Sequence, residues 1–153
     1  MIVHDFPVWR NHSNFIISVE LRDDDVPNEW KWEQLWVREL GENLFELCCI
    51  PFFAYGLSLG DIVATKPKGE KRYVVDKVLK PKGHSTFRIW FYSLNGWNYV
   101  IEDIRKLGCL VEIRWNKSRL VAVDAPTLEI MEELKLYLSN LTSDEGLTYE
   151  VAN

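Results

Sequence analysis

No hydrophobic run in this chain is long enough to cross a bilayer. The most apolar stretch, Cys48 to Leu59, is interrupted by Pro51, Gly56 and Ser58, far short of the roughly 20 residues that a spanning helix needs. The first residues, MIVHDFPVWRN, lack a basic segment followed by an apolar one, so a secretory signal is not expected and the chain is expected to stay in the cytoplasm. Cysteine is scarce: there are three, with Cys48 and Cys49 adjacent and Cys109 distant, which makes neither a disulfide framework nor a metal knuckle. Reduced core thiols are the expectation. His4, His12 and His84 are far apart and stand at no recognised ligand spacing from a carboxylate or thiol, so no metal is expected. A Walker phosphate loop, a GxGxxG turn and a nucleophile elbow are also missing, and no cofactor is implied. Internal repeats and low-complexity tracts are absent.

What is present is the composition of a protein with a core. The 153 residues are 47% hydrophobic and 27% charged, with net charge −5, a balance that argues against a general nucleic-acid binder. The charge is uneven. Residues 66–82 carry seven Lys and Arg against Glu70 and Asp76, whereas residues 120–153 carry seven acids against Lys135 alone. Such asymmetry belongs first to a solvated surface and second to a charge-steered interface.

Along the chain, the run NFIISVEL from Asn14 to Leu21 reads as a strand, stopped by Arg22, the acids Asp23, Asp24 and Asp25, and Pro27. Leu35–Leu40 and Leu44–Ile50 flank Gly41-Glu42 as a hairpin. Ile62–Lys66 and Arg72–Leu79 flank a loop at 67–70. Five short strands without a helix predict a small antiparallel barrel-like module over residues 1–82. Beyond it, Thr86–Leu94 alternates as a strand, and Trp97, Val100, Ile101, Ile104 and Leu107 recur at helical spacing before a Gly108 cap. Cys109–Trp115 and Arg119–Ala125 form a hairpin. Ile130, Met131, Leu134, Tyr137, Leu138 and Leu141 mark a second helix after Pro126-Thr127, and LTYEVA closes as a strand. The order β-α-β-β-α-β over residues 83–153 is the ferredoxin-like pattern. The fold class is therefore α+β, with both modules expected in one compact unit.

The strings LWVREL, IPFFAYGLSLGDIV, KGHSTFRIWF, LGCLVE and LVAVDAP, in that order, resemble the bacterial domain-of-unknown-function family numbered 4265, over about residues 33–152. The resemblance implies a bacterial origin and transfers no catalytic residue. By analogy, small acidic α/β proteins of bacteria include many immunity proteins, which neutralise a toxin by covering its active surface.

Candidate chemistry concentrates at Gly83–Arg88, where His84, Ser85, Thr86 and Arg88 could hold an anion. The competing reading has Ser85 and Thr86 satisfying backbone groups and Arg88 pairing with an acid on a neighbouring strand. Trp36, Trp90, Trp97 and Trp115 fall on patterned elements and are expected in the core, whereas Trp9, Trp30 and Trp32 lie in polar surroundings and suit an interface. Phe87, Ile89 and Phe91 share one sheet face, with Arg88, Trp90 and Tyr92 on the other. A sheet face of this kind can stack RNA bases, although the RNA-recognition motif itself is absent. The sequence thus points to a protein-binding module, an immunity-type inhibitor docking on a basic toxin through Asp23, Asp24, Asp25, Trp30 and Trp32, with Glu129, Glu132 and Glu133 as a second patch. Nucleic-acid binding through Lys68, Lys71, Arg72, His84 and Arg88 is the alternative, an uncharacterised enzyme is the third reading, and no membrane partner is implied.

Overall fold

Alternating apolar and polar side chains build the first half of the fold. In a computed structural model, which describes residues 1–21, 31–142 and 146–153, five strands close into a barrel in the order of the chain: β1 (Phe15–Glu20), β2 (Trp32–Gly41), β3 (Leu44–Leu47), β4 (Ile62–Lys68) and β5 (Lys71–Lys80). Successive strands pair antiparallel, and Ser18 opposite Val74 closes the ring in parallel. The inward positions Ile17, Leu35, Val37, Phe45, Leu47 and Val63 are buried in one core, as period-two patterning requires. The loop expected at 67–70 narrows to Gly69-Glu70, with Gly69 at φ 59°. Pro67 is tolerated inside β4 because the register shifts between Lys66 and Lys68, where a missing ladder donor does no harm.

The second half is a four-stranded sheet carrying two helices. Its elements are β6 (Ser85–Phe91), α1 (Trp97–Lys106), β7 (Leu110–Ile113), β8 (Leu120–Ala125), α2 (Leu128–Thr142) and β9 (Leu147–Val151). The sheet order is β7-β8-β6-β9, with every neighbouring pair antiparallel. Gly108, at φ 101°, ends α1 and donates to the Arg105 carbonyl at 3.0 Å, the left-handed cap that glycine adopts freely. Thr127 Oγ1 accepts the Ile130 amide at 3.2 Å to start α2. Phe87, Ile89, Phe91, Val121 and Val123 face Trp97, Ile101, Ile104, Leu134 and Leu138 in a second core.

The helix-free face of this sheet meets the barrel. Ala122 of β8 belongs to the barrel core, and around it the join is polar. His4, fully buried, places its two ring nitrogens against Glu33 of β2, at 2.8 Å, and Glu112 of β7. The N-terminal segment is delivered there by Ile2, whose amide and carbonyl bond Trp32 and Gln34 at 2.8 Å. The two carboxylates then fasten the 48–61 connection: Glu112 accepts the Ile50 amide at 2.7 Å, and Glu33 accepts Phe52, Phe53 and Ala54 at 2.6, 3.0 and 2.9 Å. Phe52 stacks on the imidazole at 4.4 Å.

Burial alone would push the His4 pKa down, but hydrogen bonds and charge from Glu112 and Glu33 outweigh it and raise it to about 9. Glu33 is likewise pushed up by burial, yet His4 and the backbone amides hold it below the usual carboxylate range. At neutral pH the imidazolium therefore donates from both nitrogens.

Two expectations follow from these pairs. His4→Ala should cost about 3–5 kcal/mol in denaturant unfolding, because it leaves two carboxylates buried without their cation. The wild-type stability that His4 confers should be complete below about pH 6.5 and lost as pH rises through about 9. Glu33 should contribute above about pH 4.5 and lose its contribution as pH falls through its lowered pKa. Melts across pH should show both limbs, and His4→Phe should abolish the alkaline one.

Candidate functional site

Beyond the His4 join, the helix-free face emerges from under the barrel as a groove. Its floor is set by register: Arg88 lies opposite Ala122 and Glu150, and Trp90 opposite Leu120 and Thr148. The wall is the 48–61 connection, with Phe53 held by its amide bond to Glu33 and Tyr55 by its hydroxyl bond to Glu150. One part of the groove, about 330 Å³, lies among Phe53, Tyr55, Arg88, Trp90 and Glu150. It continues past Phe53, Trp90 and Leu120 into a second part of about 560 Å³ among Leu94, Arg114, Trp115, Lys117 and Arg119.

Trp90 is 42% exposed and Trp115 58%, against the expectation of core positions. Trp97 alone of the four patterned tryptophans is fully buried, and Trp36 packs half-buried on the barrel core. Trp90 sits on the polar side of β6, where the barrel stops short of covering it. Trp115 lies past the end of β7, in the turn before β8. That turn is anchored by the Trp97 indole donating to the Ser118 carbonyl at 2.9 Å.

Within the turn, Lys117 takes φ 59°, a left-handed conformation uncommon outside glycine, asparagine and aspartate. Backbone strain retained in a surface turn is a pointer to function, and here it sets a cation at the mouth of the groove. Arg119 is positioned by donating to the Phe91 and Tyr92 carbonyls at 2.9 and 2.6 Å. The Arg114 guanidinium lies over the Trp115 ring at 5.2 Å.

Arg88 is 5% exposed. It donates to the Ala54 carbonyl, lies under the Tyr55 ring at 4.6 Å and stands 3.4 Å from Glu150 on the neighbouring strand. The pairing reading of Arg88 is therefore the one the fold adopts. His84 meets Asp124 at 2.7 Å, and burial raises the Asp124 carboxyl against the pull of His84. Ser85 points instead at the Met131 sulfur, 3.1 Å away, and Ser58 bonds Thr86 at 2.8 Å, so Ser85 and His84 do not converge. Neither His84 nor Arg88 reaches the basic hairpin's solvent face. On that hairpin Lys68 pairs with Glu20, Lys71 lies over Trp32 at 5.0 Å and Arg72 over Tyr73 at 5.6 Å.

Trp32 is thus half-buried at the start of β2. Glu129, Glu132 and Glu133 are exposed on α2, away from the groove residues. Asp23, Asp24, Asp25 and Trp30 lie outside the described residues. No group of histidine, cysteine, aspartate and glutamate among the described residues is placed to hold a metal, and no described helix is long and apolar enough to cross a membrane.

Sequence reasoning did not single out Glu33, Glu112, Tyr55 or Glu150. The available signal was on one sheet face: Thr86, Arg88, Glu112 and Asp124 all occupy its polar side, more buried charge than a solvated sheet would carry.

The architecture defines an α+β protein in which a closed barrel and a two-helix sheet share a polar join and an aromatic groove. The chain belongs to the family described as Domain of unknown function (DUF4265), whose model matches residues 33–149. A solved structure described as a novel crystal structure of a hypothetical protein from Neisseria gonorrhoeae is similar in fold, with TM-score 0.72 and 23% identity over 92% of this chain and 95% of that one. No curated protein matches the chain.

Burial drives Cys48 up to about 11 and Cys109 up to about 12, and Cys49 higher than its ordinary value by the same cause. A thiol reagent at pH 8 should therefore leave the folded protein unmodified and titrate all three cysteines once denaturant is added.

Proposed function

We propose that this protein is a protein-binding module, an immunity-type inhibitor acting in the bacterial cytoplasm by covering the working surface of another protein. The observation that carries the reading is the groove, where Trp90, Trp115, Tyr55 and three cations gather on a supported surface. Trp, Tyr and Arg are the residue types that dominate interface energetics, and an exposed aromatic cleft of this kind needs an occupant. In this reading the groove supplies affinity, while Glu129, Glu132 and Glu133 on α2 steer a basic partner's approach, since rim charges act mainly on encounter rate.

Residues 83–153 we take as a ferredoxin-like module, a reading supported by the β7-β8-β6-β9 order with both helices on one face. Nucleic-acid binding through the basic hairpin has weaker support, because Lys66 and Lys68 are paired with Asp76 and Glu20.

Affinity capture from the native bacterium at low and high salt, followed by titration of the protein retained, tests the proposal. Trp90→Ala and Trp115→Ala should each weaken binding about ten-fold or more. Glu132→Lys with Glu133→Lys should instead slow association and flatten its salt dependence. A partner indifferent to both tryptophans would remove the groove from the interface, and retention of nucleic acid alone, lost as salt rises, would favour the hairpin.

A further inference from the structure

The groove contains a buried cation whose charge is incompletely answered. Arg88 is held by the Ala54 carbonyl and the Tyr55 ring, but its Nε has no hydrogen-bond partner among the described residues. A buried donor left unpaired is costly, and more so on a charged group. The nearest carboxylate, Glu150, stands at 3.4 Å and its side chain is 47% exposed. Glu150 is held more closely by the Tyr55 hydroxyl, at 2.9 Å to each oxygen. The carboxylate thus sits at the rim, between solvent and the cation, with one short tether.

We propose that Arg88 is the floor of a carboxylate subsite, that Glu150 fills it in the free protein, and that the segment docking in the groove carries an acidic side chain beside an aromatic or large apolar one. This deepens the protein-binding reading and rests on it: the partner whose basic surface α2 steers presents one acidic segment to the groove. Glu150 swings to solvent, and the incoming carboxylate takes its place against Arg88 Nη1. Its neighbour packs on Trp90 and Phe53. Lys117 and Arg119 continue the same sign of charge toward Trp115, so an acidic segment meets further cations beyond the subsite. A segment with one carboxylate fits better than a phosphodiester backbone, because the net charge of −5 opposes a charge at every nucleotide more than a single acidic side chain.

The test uses an array of hexapeptides in which Asp or Glu adjoins Trp, Phe or Leu, their Asn and Gln counterparts, and a single-stranded oligonucleotide. The tightest peptides are titrated against the full chain. Acidic peptides should bind about ten-fold more tightly than their amide counterparts, as charge-assisted pairing to arginine requires. Glu150→Gln should tighten the acidic peptides about three-fold by removing the competing anion and leave the amide peptides unaffected, with a melt of the variant checking that the fold is kept. Equal binding of acid and amide peptides, weaker binding by the Glu150→Gln protein, or no peptide binding at millimolar concentration would overturn the subsite. Lost acid preference with retained sensitivity to Trp115→Ala would overturn the subsite alone, whereas insensitivity of every peptide to Trp90→Ala and Trp115→Ala would overturn the groove. Binding of the oligonucleotide only would replace a protein partner with a nucleic acid.

Discussion

A single imidazolium between two carboxylates sits where four parts of the chain meet. His4 comes from the N-terminal segment, Glu33 from the barrel, Glu112 from the sheet, and the amides of Ile50, Phe52, Phe53 and Ala54 from the connection between β3 and β4. Each carboxylate serves the histidine and the connection at once. Charges taken out of water remain stable only when their hydrogen-bonding capacity is met, and here the backbone meets it. The same bonds therefore set the position of the barrel against the sheet and the path of the 48–61 connection.

That path is what gives the groove its shape. With Phe52, Phe53 and Ala54 fixed by Glu33, the Ala54 carbonyl is presented to Arg88, and Tyr55 lies over the guanidinium. Phe53 then forms the ridge shared by both parts of the groove. A surface built this way is supported from below by a strand and from the side by a pinned connection, the kind of backing that keeps a binding site preorganised. The acidic face of α2 has no comparable backing, only solvent-exposed glutamates, and so suits steering rather than anchoring.

The elements themselves were readable at once. Apolar alternation located β1 through β9 with ends that moved by a few residues, and helical spacing located α1 and α2 with their Gly108 and Thr127 signals. The exceptions have physical reasons. Trp32 reads as lying in polar surroundings because β2 begins in a stretch where Glu33, an inward position, is charged rather than apolar. Trp115 was assigned to a strand because nothing local marks the end of β7 before the Asn116-Lys117-Ser118 turn. Trp90 alternates correctly, but whether its face is covered depends on how far the barrel reaches.

Sequence by itself determined the α+β class and the strand and helix order, because these depend on periodicity and on neighbours within one element or one hairpin. Tertiary structure decided the rest. That all three histidines find carboxylates, His4 with Glu33 and Glu112, His12 with Glu46 and His84 with Asp124, is a matter of contacts spanning 29 to 108 positions, for which no local spacing exists. The groove is of the same kind: it arises from the partial cover of one sheet face by a barrel whose docking is set by the buried charges at its edge.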